Sequence, residues 1–402
     1  MNELSSLGMI LLLALLAGHL VKFLRIPEVS GYILAGVAMG PSMLGWISHE
    51  NLVTLGIFSE VTLGLILFSV GSVFEMSRFL KVGRRLILLT LIESSLAATL
   101  VVVGILWYGA PWQVALLLGA IAVETAVAST LMVMRESNAS GPLSETLLGI
   151  IAVNNVLCLV GYSLVASFIE LSGSIGTAPL LQSLFRSIFP LVWQVVGSAA
   201  LGYLVGILLA SWGSKVVEQG EMLILLVGCV LLCVGLAVVL DLSPLLASLM
   251  VGATMANLSA RSRALFTALG QTDPPLYAIF FVIAGADLDV SLLSSIGAIG
   301  ATYILCRSFG KFIGAVVGSW RLGFERNVQK LLGFGMLTQA GLAIGLTLAI
   351  SRRFPEFAPT VTTVVLSSII IFEMVGPIST RFAIVRSGEA QREQQKLVPE
   401  LF

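Results

Sequence analysis

Asn154 and Asn155 stand side by side inside the apolar run GIIAVNNVLCLVGY, residues 149–162. An unpaired amide in a dry or lipid-facing helix costs on the order of a few kcal/mol. Other polar groups interrupt similar runs. Glu124 lies in VETAVAST (123–130) beside Thr125, Ser129 and Thr130, Gln339 in TQAGLAIG (338–345), and Glu373 in FEMVGP (372–377). Arg307 and Lys311 are four residues apart and share one helix face. These are types suited to a small ion. Amide, hydroxyl and freed carbonyl oxygens can ligate a cation, a carboxylate can bind a cation or a proton, and two buried cations need anions from elsewhere.

The surrounding composition sets where this chemistry takes place. Of 402 residues, 57% are hydrophobic and 11% charged, against roughly 25% charged in soluble domains. The chain reads as an all-α polytopic membrane protein and not as an enzyme. Zero formal net charge gives no reason to expect nucleic acid as a partner. Cys158, Cys229, Cys233 and Cys306 lie in apolar runs and read as buried small hydrophobes. No cofactor or resident metal is expected.

Thirteen spans are expected near 5–23, 29–46, 53–72, 84–107, 112–135, 143–169, 183–211, 222–240, 243–257, 276–289, 294–320, 328–350 and 360–385. Pro244 and Pro274-Pro275 are expected to mark helix starts. Of the 22 Lys and Arg, 17 fall on one side of this map and three, Arg186, Arg352 and Arg353, on the other; Arg307 and Lys311 lie within a span. The asymmetry predicts an outer N-terminus and an inner C-terminus. Residues 387–402 read as a short cytoplasmic tail.

At about 1.5 Å per residue, mid-membrane lies about ten residues into a span. Counted from the first residue of each span, Glu124 lies 12 residues on, Asn154 and Asn155 lie 11 and 12, Arg307 and Glu373 each lie 13, and TQAGLAIG begins 10 on. A lone midspan Asn most simply hydrogen-bonds a neighbouring helix. Two adjacent ones point about 100° apart and cannot serve one interface. VETAVAST and TQAGLAIG both read as unwound helix segments. Corresponding breaks in two halves of a chain point to an inverted-repeat transporter site. Gly310-x-x-x-Gly314-x-x-x-Gly318 should let the helix bearing Arg307 and Lys311 pack closely on a neighbour.

Several segments, in order, resemble the monovalent cation:proton antiporters of the Kef- and NapA-like branch. They are RIPEVSGYILAGVAMGPSMLG (25–45), LGLILFSVGSVFEM (63–76), TAVASTLMVMRE (125–136), FFVIAGADLD (280–289), RSFGKFIGAVVG (307–318), GMLTQAGLAIGL (335–346) and FEMVGPISTR (372–381). The resemblance implies an inverted-repeat fold with two crossed broken helices. It also implies a homodimer in a bacterial-type inner membrane and exchange of Na+ or K+ for H+. Core helices near 84–169 and 294–385 would move, elevator-like, against dimerisation helices near 5–72 and 183–289. The resemblance places the ion site at Asn154 and Asn155. By their depth and clustering, Thr125, Ser129, Thr130, Gln339 and Glu373 are further candidates to line it, Glu373 alternatively serving only to hydrogen-bond a neighbouring helix.

The chain departs from that family at two places. The family's ion site ends in Asp, where this chain has Asn155, and Glu124 stands where the family has a small residue. An amide ligates a cation but does not ionise at physiological pH. Three readings follow. One is an exchanger muted by Asn155 in place of Asp. Another is an exchanger whose titrating group is Glu124, partnered by Arg307 or Lys311. The third is a transport-dead sensor, partner subunit or channel-like relative without proton coupling.

Overall fold

The computed structural model describes residues 3–24, 26–71, 76–173, 189, 192–216, 218–259, 262–292 and 296–390. The expected features at Arg25, Glu75, Arg186 and Arg261, the start of the span 183–211, and the tail beyond 390 lie outside the described residues.

The described residues form helices and contain no strand. In chain order they are α1 (Glu3–Phe23), α2 (Glu28–Met39), α3 (His49–Gly71), α4 (Met76–Trp107), α5 (Trp112–Ile121), α6 (Val127–Glu136) and α7 (Pro142–Gly173). A π turn, Trp193–Gly197, leads into α8 (Ser198–Gly213), followed by α9 (Gln219–Val239), α10 (Pro244–Leu258), α11 (Ser262–Ala286) and α12 (Gly297–Arg321). Then come α13 (Arg326–Leu331), a 3-10 turn (Leu332–Met336), α14 (Gly341–Arg353) and α15 (Ala358–Ser387). Seven of these are long and apolar enough to cross a membrane, or eight if the pair Arg326–Met336 and Gly341–Arg353, bent by 46°, is one span. Glu28–Met39, Trp112–Ile121 and Pro244–Leu258 are shorter apolar helices.

Local chemistry explains the ends. Pro244 occupies the first turn of α10, where its missing N–H costs nothing, and the Ser243 hydroxyl caps Leu246 N at 3.4 Å. Gly388 closes α15 in the left-handed region at φ 81°. Pro274-Pro275 do not begin a helix: α11 starts at Ser262 and runs through both. The residues before them, SRALFTALGQTD, carry the helix on as a more polar extension, and only the apolar stretch begins at the prolines.

Close backbone approach organises the packing. A Cβ on Gly310 would lie 2.6 Å from Ala97 Cα, one on Gly314 2.7 Å from Glu93 Cα, and one on Gly318 2.6 Å from a Leu89 methyl. The expected glycine row therefore seats α12 directly on α4. Gly36 and Gly40 likewise seat α2 on α11. At the start of α7, the Glu389 carboxylate accepts from Leu143 N at 2.7 Å and Ser144 N at 2.8 Å, which neutralises two free amides of that terminus. The α1 helix buries Ile10 and Ala14 and leaves Leu4, Leu12, Leu15, Leu16 and Leu20 exposed, a surface suited to lipid.

Candidate functional site

Both expected breaks are present, and they touch. The first separates α5 from α6 at residues 122–126, and the second separates the 3-10 turn from α14 at residues 337–340. Ala126 N donates to Thr338 O at 3.1 Å, and Thr338 Oγ1 donates to Ala126 O at 3.2 Å. The hydroxyls of Thr130 and Thr338 lie 3.1 Å apart.

Each break frees carbonyls at the end of one half-helix, where the partial charge is negative, and amides at the start of the next, where it is positive. The buried cations take the carbonyls. Arg307 donates through Nη1 to Leu337 O at 2.8 Å and through Nη2 to Glu124 O at 2.6 Å and Thr338 O at 3.1 Å. One guanidinium thus clamps both breaks, using a fork of donors that no other side chain has. It also lies over the Phe372 ring, 4.4 Å from its centroid. Lys311 Nζ donates to Val123 O at 2.6 Å and to Thr125 Oγ1 at 2.9 Å.

The acids sit toward the opposite ends. Ala340 N, at the entry to α14, donates to Glu124 Oε1 at 3.4 Å, while Glu124 Oε2 is buried without a partner. Ser129, in the first turn of α6, donates to Glu373 Oε1 at 3.1 Å. Neither Arg307 nor Lys311 pairs with the Glu124 carboxylate, contrary to the expected partnership.

Lys311 pairs instead with Glu93 of α4, a residue the sequence reading passed over. Their charged atoms are 2.9 Å apart and both side chains are 0% exposed. Glu93 belongs to a ring of polar groups. Ser94 Oγ approaches Glu93 Oε2 at 3.2 Å and donates to Asn154 Oδ1 at 2.7 Å, and Asn154 Nδ2 donates to Thr125 Oγ1 at 3.4 Å. Thr125 closes the ring through Lys311. The anion that two buried cations required is therefore supplied by the helix on which Gly314 packs. Nine residues on from the start of its expected span, Glu93 satisfies the same depth arithmetic that singled out Glu124. That was the signal available for it.

The two asparagines have different surroundings. Both amide ends of Asn154 are engaged, whereas Asn155 Oδ1 is buried with no hydrogen-bond partner. Gln339 is held by Tyr303: Nε2 donates to the Tyr303 hydroxyl at 2.9 Å and to Ile121 O at 3.2 Å. Tyr303 and Ser94, like Glu93, were not singled out from sequence. All ten candidate residues are buried, and the bonds above bring Glu124, Thr125, Ser129, Thr130, Asn154, Arg307, Lys311, Gln339 and Glu373 into contact with the breaks or with residues bound to them.

Known proteins give this arrangement a context. The chain is 25% identical over 340 residues to the ammonium/H+ antiporter subunit AmhT of Alkalihalophilus pseudofirmus, covering 84% of each. It is 22% identical to the high-affinity Na+/H+ antiporter NhaS3 of Synechocystis, over 98% of this chain and 92% of that one. Its fold matches two structures of the sodium proton antiporter MjNhaP1 from Methanocaldococcus jannaschii, at 18% identity. Their TM-scores are 0.68 and 0.71, over 96% and 99% of each chain. Residues 8–382 match the family of transmembrane sodium/hydrogen exchangers, and the chain belongs to that family.

Proposed function

We propose that the chain is a monovalent cation:proton antiporter in which Na+ or K+ and H+ occupy the crossing of the two breaks in alternation, with Glu124 as the group for which they compete. The observation that carries this reading is the state of the Glu124 carboxylate. Lys311 is occupied by Glu93, Arg307 is occupied by carbonyls, and Glu124 keeps a buried oxygen with no partner. An acid in that position gains from accepting either a proton or a metal cation. Asn155 Oδ1, also unpartnered, offers a neutral oxygen ligand, and Glu373 offers a second carboxylate. The named relatives exchange Na+ or ammonium for H+, and both ions are monovalent.

The accompanying architecture is thirteen spans with the N-terminus outside, the C-terminus inside, and two copies per assembly. The asymmetry of Lys and Arg supports the orientation. Helices near 84–169 and 294–385 hold every residue of the crossing, which supports their moving as one body against the helices near 5–72 and 183–289 in a bacterial-type inner membrane.

Reconstituted vesicles with an imposed pH jump test the assignment, with Na+ and K+ supplied separately. Glu124→Gln should abolish cation-dependent proton flux, and the unaltered chain should exchange without Asn155→Asp. Normal flux in Glu124→Gln rejects the role of Glu124. A silent parent whose flux appears only with Asn155→Asp indicates an exchanger muted at residue 155.

A further inference from the structure

The buried charges around the breaks do not balance. Among the described residues, five charged side chains are buried: Glu93, Glu124, Glu373, Arg307 and Lys311. Glu93 comes from α4, Glu124 from the first break, Arg307 and Lys311 from α12, and Glu373 from α15. The other titratable side chains bonded to this region, Cys158 and Tyr303, are uncharged near neutral pH in their ordinary state. Three carboxylates thus face two cations.

The Glu93–Lys311 pair contributes nothing to the balance. Whether the proton resides on the amine or on the acid, the two together are neutral. Their contact is built in, because Gly314 brings α12 onto Glu93 Cα and the Ser94–Asn154–Thr125 ring closes around both. Arg307 keeps its charge in any protein environment and offsets one of the two remaining acids. A single negative charge is left on Glu124 and Glu373 together.

We propose that Glu93 sets the stoichiometry of exchange: by cancelling Lys311 it leaves one unfilled negative charge, so one proton or one monovalent cation occupies the site at a time and exchange is electrically silent. This rests on the antiport reading above. The site is neutral when carrying either ion and charged when empty. Burying net charge away from water is strongly unfavourable, so the loaded site crosses the membrane and the empty one does not. Without Glu93, the ammonium of Lys311 would fill the vacancy and leave no charge for a transported ion.

The test uses the full chain in proteoliposomes. Proton movement is followed by a pH-sensitive dye and charge movement by solid-supported-membrane recording, with Na+ or K+ jumps. The parent should move protons at a rate indifferent to membrane potential and without sustained current. Glu93→Gln should lose at least about tenfold in exchange, through a raised KM for the cation, and Glu93→Asp should recover it. The double variant Glu93→Gln/Lys311→Gln removes one charge of each sign and should also recover exchange, because the net charge around the breaks returns to its parental value.

Potential-driven exchange by the parent overturns this inference alone. So does a Glu93→Gln variant with the parental KM, or a folded double variant as weak as the single one. Should Glu93→Gln fail to fold, the parental current decides the matter. A parent with no exchange at all overturns the antiport reading and this inference with it.

Discussion

Arg307 binds the backbone of Glu124 and not its acid: Nη2 donates to the Glu124 carbonyl at 2.6 Å. The same guanidinium holds Leu337 O and Thr338 O of the other break. It satisfies helix ends that would otherwise be orphaned in a dry interior, and it makes no ion pair with the Glu124 carboxylate. Under the proposed reading, the backbone of Glu124 serves the clamp and its carboxylate the transported ion.

Replacing Arg307 by Lys tests the clamp. An ammonium is a point donor and cannot span carbonyls of two breaks with the geometry of a planar fork. At least one buried carbonyl loses its partner, at a cost of about 1–3 kcal/mol. Arg307→Lys should lower the unfolding temperature of the purified protein and reduce flux while keeping the charge. An unchanged unfolding temperature would mean that the three bonds are dispensable.

The adjacent asparagines should separate in their effects. Asn154→Ala opens the ring, removing two hydrogen bonds while leaving Ser94 on Glu93 and Thr125 on Lys311, so a stability loss of about 0.5–1.5 kcal/mol per bond is expected. Asn155→Ala removes an oxygen that has no partner. Its unfolding temperature should stay close to the parent's while the cation KM rises severalfold. Thermal unfolding in detergent and flux titrations on the same preparations check both.

Two glycines give opposite expectations for one substitution. A Cβ at Gly314 would lie 2.7 Å from Glu93 Cα, a backbone atom that cannot swing aside, whereas one at Gly345 meets nothing within 4 Å. Gly314→Ala should destabilise by about 1–3 kcal/mol through overpacking and disturb the Glu93–Lys311 pair. Gly345→Ala should be neutral, or stabilising by about 0.4–1 kcal/mol, because it restricts the unfolded chain. Thermal unfolding of both variants beside the parent measures the difference.

Much of this arrangement is legible in the sequence, for physical reasons. Membrane depth follows from helical rise, so counting into each span finds Glu124, Asn154, Asn155, Arg307 and Glu373 without a structure. Helix breaks announce themselves by clustered small and hydroxyl residues, as in VETAVAST and TQAGLAIG. Partnership is harder. That Lys311 meets Glu93 and not Glu124 depends on which helix the Gly310–Gly318 row faces, and glycine spacing does not name its neighbour. Tyr303 and Ser94 lie in apolar runs and become notable only through the side chains they touch. Pro274-Pro275 mislead because a proline pair marks the edge of the apolar stretch, not the first turn of α11.

Competition between H+ and a cation for the Glu124 site is measured most directly by the apparent cation KM of exchange as a function of pH, in vesicles holding the unaltered chain. The account predicts a KM that rises as pH falls, approaching about tenfold per pH unit where the proton dominates, with the maximal rate at saturating cation changing far less. A KM indifferent to pH, with the maximal rate carrying all the pH dependence, would contradict it.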